Sequence, residues 1–190
     1  MDTDSFYQIP RRAFLDTNVV NLVLDYGDQI HDNVPIPEGC DDRTRESVEG
    51  LCGIFDTGQR ASWQFAISPL TYREVSATSD PLRRYHLESW FAELWPYWRE
   101  MITAMDNLPS FFEAEETRLR LLSSGVLEVL PDIADRLLIC DAIVYKCDAF
   151  CTCDNRTILK RREKLTDLPI KIITPAEWWA EIKPWASIWL

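Results

Sequence analysis

Only six glycines occur in 190 residues, and none falls in a Gly-x-x-x-x-Gly-Lys, Gly-x-Gly-x-x-Gly or Gly-x-Ser-x-Gly pattern. That excludes the backbone loops that cradle nucleotide phosphates and the elbow that presents a nucleophilic serine. Histidine is nearly missing: His31 lies in a polar loop and His86 on a helical stretch, and neither is placed as a general base. Positive charge is in deficit, with 20 Lys and Arg against 31 Asp and Glu and a net charge of -11. A protein that coats nucleic acid non-specifically would need the opposite balance. No run approaches the roughly 18 consecutive apolar residues of a membrane-spanning helix, and the start (MDTDSF) is acidic where a secretory signal would be basic and then apolar. The expectation is therefore a cytoplasmic protein with no membrane partner. The cysteines at 40, 52, 140, 147, 151 and 153 form no Cys-x-x-Cys pair and read as buried free thiols in a reducing compartment. Cys147, Cys151 and Cys153 make a poor zinc set, because Cys151 and Cys153 point to one face of a strand that should be buried.

The chain does have 46% hydrophobic and 27% charged residues, enough to build the core of one domain spanning 1–190. Arg11 to Leu15 reads as a strand that hands over at Asp16 directly to a helix. Residues 27–45, with Gly27, Pro35, Pro37 and Gly39, read as a loop, followed by a helix over about 44–57 and a strand over Trp63–Ile67. Ser68-Pro69 marks the next helix start. Residues 82–107 form an aromatic-rich helical layer interrupted by Pro96, with Trp90 and Trp98 assigned to the core, and another helix spans 110–123. Val126–Leu130 reads as a strand, Ile133–Lys146 as a helix, Ala149–Cys153 as a strand, Lys160–Lys164 as the end of a helix and Ile170–Ile173 as a strand. Pro175 opens a last helix whose Trp178 and Trp179 are assigned to a contact surface. Short apolar strands alternating with helices predict an α/β fold, a three-layer α/β/α arrangement around a central parallel sheet, with helical insertions at about 27–60 and 79–125.

Ligands of open parallel sheets bind beyond the carboxyl ends of the strands, and acids fall there. Asp16 ends the first strand and Asp154 follows Ala149–Cys153. Asp135 opens the helix after Leu130, and Glu74 sits one turn into the helix after the second strand. Four carboxylates at one edge would not all stay ionised without a cation between them, and all-oxygen ligands suit Mg2+ or Mn2+. Each acid also has an ordinary explanation: Asp16 as a helix cap, Glu74 as an exposed helix residue, Asp135 favouring a helix N-terminus and Asp154 in an Asx turn. Asp141 is the rival to Asp135; it lies six residues on, about 600° of helical rotation away and so on another face. Asp148 reads as a solvated turn residue. Basic clusters that could meet RNA are Arg11-Arg12, Arg83-Arg84 and Lys160-Arg161-Arg162 with Lys164.

Residues 14–20 (FLDTNVV), 68–75 (SPLTYREV), 135–154 (DRLLICDAIVYKCDAFCTCD) and 170–177 (IKIITPAE) together resemble, in order, the motifs of the PIN-domain family, including its VapC-like metal-dependent ribonucleases. The likeness runs over about 10–180, with unmatched stretches at 27–60 and 79–125. It implies hydrolysis of RNA phosphodiesters with Mg2+ or Mn2+, Asp16, Asp135 and Asp154 as the main metal ligands, and Glu74 binding metal or orienting water. It further implies Thr17, Asn18 and Thr152 as donors that hold the carboxylates. The partners it implies are an RNA substrate, an antitoxin-like protein that would neutralise the enzyme, and a second copy in a homodimer. The other readings are a PIN-fold RNA- or protein-binding module with little turnover, and an unrelated doubly wound α/β hydrolase or nucleotide-binding protein, which Asp16 and Asp154 lying far apart would favour.

Overall fold

A computed structural model describes residues 6–61, 63–89, 91–92 and 108–188. Trp90, Pro96 and Trp98 lie outside the described residues, so the expected aromatic layer is seen mainly in the helix over 81–89. The protein is α/β, built on four parallel strands: β1 (Arg12–Leu15), β2 (Gln64–Ala66), β3 (Ala149–Cys151) and β4 (Lys171–Ile173) in the order β2-β1-β3-β4. Parallel pairing sets Phe14 beside Ala66 on one side and Phe150 on the other, and Phe150 beside Ile172. Because the order reverses around β1, the crevice at the carboxyl ends of β1 and β3 is the topological switch point, where such sheets bind ligands.

Strand alternation divides the core in two. Ala13, Leu15, Ala149 and Cys151 face one cluster, which holds Val19, Val20, Leu51, Ile54 and Trp178. Phe14 and Phe150 face the other, with Leu130, Leu138 and Ile139, and their rings stack with centroids 5.6 Å apart. Each fully buried side chain of this size contributes about 1.5–3 kcal/mol. The first face is covered by α1 (Thr17–Asp25), α3 (Asp42–Ala61) and the last helix, α8 (Pro175–Ile182); α2 (Gly27–Asp32) packs beside α3. The second is covered by α5 (Phe111–Ser123) and α6 (Ile133–Val144). α3 and α8 touch through glycines: a methyl group at Gly50 would lie 2.7 Å from the Pro175 carbonyl oxygen, and one at Gly53 would lie 2.5 Å from the Trp179 ring.

Several expectations change. Residues 27–45 are not a single loop: Gly27–Asp32 is helical, and α3 starts at Asp42 and continues to Ala61. Its Val48, Leu51 and Ile54 are fully buried, so the stretch is part of the core. Val126–Val129 is a 3-10 turn entered through Gly125 at φ 80, not a strand. β3 stops at Cys151, two residues short of the expected Cys153, although the Thr152 N–H still donates to the Ile173 carbonyl at 2.9 Å. Trp178 belongs to the interior: it is wholly buried and its indole N–H donates to the Pro10 carbonyl at 3.1 Å. Trp179 packs against the same cluster over Gly53. All six cysteines are free. Asp148 is exposed, yet its Oδ2 accepts from the backbone of Arg11 (3.0 Å) and Arg12 (2.9 Å) and fastens β1 to β3. Among the described residues no helix is long and apolar enough to cross a membrane.

Candidate functional site

Asp16 is the first residue past β1 and the N-cap of α1; its extended backbone (φ -64, ψ 154) lets Oδ1 accept from the Thr17 N–H at 2.7 Å. Capping accounts for that oxygen only. Oδ2 reaches across to the next strand, accepting from the Thr152 hydroxyl at 2.5 Å and the Asn18 side-chain amide at 2.6 Å. The ladder continues one step, with the Asp16 N–H donating to the Cys151 carbonyl at 3.0 Å. Thr152 in turn accepts from the Asp154 N–H at 3.0 Å, and Asn18 Oδ1 accepts from the Cys153 N–H at 2.7 Å. Thr152 and Asn18 thus stitch the loop after β3 to the loop after β1. Asp154 Oδ1 closes an Asx turn by accepting from the Arg156 and Thr157 N–H groups, at 2.8 and 3.0 Å.

Glu74 rides on α4 (Pro69–Ser76), which starts at a Ser68 cap reinforced by the Thr71 hydroxyl. Its Oε2 accepts from the Thr17 hydroxyl, bringing α4 to the start of α1. Asp135 lies in the first turn of α6, whose cap is Asp132. Asp141, its rival, points elsewhere: it is buried and paired at 2.8 Å with Arg118 Nε of α5.

Asp16 is 4% exposed. Burial pushes its carboxyl up to about 7 and the charge of Asp135 adds to the rise, while the bonds from Thr152, Thr17 and Asn18 oppose it. Asp135 is pushed up to about 6 by burial, then by the charges of Asp132, Asp154 and Glu74. Among the described residues no Lys or Arg forms an ion pair with Asp16, Glu74, Asp135 or Asp154. Asp135 is therefore repelled by Asp16, Asp132, Asp154 and Glu74, and among the described residues no cationic side chain pairs with the four candidate acids to offset the cost. This charge balance and the all-oxygen donor set fit a hard divalent cation. Spacing is a separate matter: among the described residues no three His, Cys, Asp or Glu side chains converge closely enough to hold an ion as they stand. Ligation would require the carboxylates to draw together.

The expected basic clusters separate. Arg11 and Arg12 lie at the opposite, amino edge of the sheet, where Arg12 bonds Gln64 and the carbonyls of Tyr145 and Lys146. Arg83 is paired with Asp25, Arg84 bonds the Thr78 carbonyl and Arg162 is paired with Glu177. Arg156 and Lys160 remain exposed just after Asp154. Two residues outside the quoted motifs also stand at the site. Asp132 acts on Asp135 through its charge, and Thr157 places a buried hydroxyl beside Asp135 that makes no hydrogen bond of good geometry. The Asp132-x-x-Asp135 spacing at a helix start was a readable signal for the first; a lone Thr offers none. No protein-family model, curated protein or solved structure matches the chain.

Proposed function

We propose that this protein is a metal-dependent endoribonuclease of PIN type that hydrolyses RNA phosphodiester bonds at the carboxylates Asp16, Glu74, Asp135 and Asp154, either as the toxin of a toxin–antitoxin pair or in RNA processing. The observation that carries the reading is Asp16: a carboxyl at the switch point of a parallel sheet, held by three donors, pushed up by its burial and then by the charge of Asp135, and lacking a cationic partner among the described residues. Mg2+ or Mn2+ bound there would acidify a water and neutralise charge on the attacked phosphate. Asp16, Asp135 and Asp154 would hold the ion. Thr152 and Asn18 fix the rotamer of Asp16, and the Thr17 hydroxyl fixes Glu74 at one oxygen, leaving Oε1 to orient the attacking water or take its proton. Arg156 and Lys160 supply positive charge for the phosphate backbone, which an otherwise acidic surface does not.

The test is cleavage of a pool of structured and unstructured RNA in Mn2+, Mg2+ or EDTA, comparing the protein with Asp16→Asn. Cutting that needs the ion and disappears in the variant is the expected result; identical behaviour of the two proteins refutes it. The spacing of the acids favours one alternative, a PIN-fold RNA- or protein-binding module with little turnover. That reading predicts RNA retention without cleavage in either ion.

A further inference from the structure

Three buried side-chain polar atoms among the described residues lack a hydrogen-bond partner: Asn21 Oδ1, Ser76 Oγ and Thr157 Oγ1. Such groups are rare and costly, because a buried hydroxyl loses its water without recovering a bond, so each calls for an explanation. For Thr157 the surroundings supply one. Its backbone N–H donates to Asp154 Oδ1 at 3.0 Å, and its carbonyl accepts from Arg161 at 3.1 Å, so the main chain is pinned on both sides. It occupies the N-cap of the short helix α7 (Ile158–Arg161), where a threonine hydroxyl ordinarily bonds a free backbone N–H, yet this one makes no capping bond. The hydroxyl instead stands beside Asp135, near enough to favour the ionised carboxylate though without a bond of good geometry.

Resting on the metal-site reading above, we infer that Thr157 is a positioning residue, its backbone fixing Asp154 and its hydroxyl reserved for Asp135 when the acids close around an ion. One residue then couples the loop after β3 to the first turn of α6. Ion binding would complete the missing bond, with the Thr157 hydroxyl donating a hydrogen bond to the ionised Asp135 carboxylate and so holding it in its ligating rotamer.

The experiment uses three full-length proteins, the wild type, Thr157→Val and Thr157→Ser, with thermal unfolding in EDTA and calorimetric titration with Mn2+ alone. Valine keeps the shape and removes the hydroxyl. In EDTA, Thr157→Val should be at least as stable as the wild type, because an unpaired buried hydroxyl has been removed; a hydroxyl with a merely structural role predicts a loss. With Mn2+, Thr157→Val should bind about 10- to 100-fold more weakly, the usual consequence of losing a group that holds a metal ligand, and Thr157→Ser should restore affinity. Equal Mn2+ affinity of Thr157→Val and wild type overturns the role of Thr157 and leaves the metal site standing. A wild type that does not bind Mn2+ overturns the metal site itself, and this inference with it.

Discussion

Replacing Asp16 by Asn isolates the cost of the buried charge. Holding a carboxyl up from 3.8 to about 7 costs the folded protein about 4 kcal/mol of ionisation free energy, at about 1.4 kcal/mol per pH unit. The folded form keeps its proton where the unfolded chain has already lost it. Stability from this group is therefore full below the unfolded value near 3.8 and is lost as pH rises through about 7. Asn has no such dependence. It has a fixed penalty, because the new amide nitrogen faces the Asn18 amide donor where Asp16 Oδ2 accepted, a loss of about 1–3 kcal/mol. The fixed part cancels when two pH values are compared. Between about pH 5.5 and about pH 8 in EDTA, the stability difference should move by about 2 kcal/mol in favour of Asp16→Asn. Urea unfolding followed by tryptophan fluorescence reads this directly. Mn2+ at about 100 times its Kd should then restore about 2.7 kcal/mol to the wild type at the higher pH and nothing to the variant. Parallel stability–pH curves in EDTA would show that Asp16 is not a desolvated carboxylate and remove the main support for a cation site.

Thr152→Val removes the hydroxyl that bonds Asp16 and accepts from Asp154; a loss of about 1–3 kcal/mol is expected in urea unfolding, with Thr152→Ser close to wild type. Asp135→Asn and Asp141→Asn should separate cleanly. Asp135→Asn abolishes the Mn2+-induced rise in Tm and spares the fold, whereas Asp141→Asn strips Arg118 of its 2.8 Å partner, lowers stability by about 1.5–3 kcal/mol and keeps the Mn2+ response. Gly50→Ala drives a methyl against the Pro175 main chain at 2.7 Å, and a drop of about 1–3 kcal/mol with an unchanged urea m-value is expected.

The parallel sheet was legible because its strands end on residues with local meaning: Asp16, Ser68-Pro69 and Thr174-Pro175 cap the helices that follow. The loop order Asp16, Thr17, Asn18 and Thr152 to Asp154 could be read as one edge; the hydrogen bond joining Asn18 to Thr152 lies within that set, and Thr17 reaches beyond it to Glu74. Val126–Leu130 departs from its expected strand because a five-residue apolar run suits a strand or a turn equally; the deciding fact, Gly125 at positive φ, is conformational. Trp178 looked like surface because adjacent tryptophans give no period, and only the close passage of α3 at Gly50 and Gly53 leaves Trp178 inside and Trp179 half-buried against the same cluster. Thr157 could not be found, since an unsatisfied hydroxyl is defined by what surrounds it in space.

The pairing of β1 with β3 joins the beginning of the chain to its far end: Leu15 lies beside Cys151, and Asp16 is held by Thr152. During synthesis the first half of the acid set leaves the ribosome long before the second, and contacts so distant in sequence form late. A nascent chain therefore carries Asp16 and Glu74 without Asp135 or Asp154. If the protein cuts RNA, it is harmless to the message and ribosome producing it until the last strands have docked, so its own topology acts as a timer on its activity.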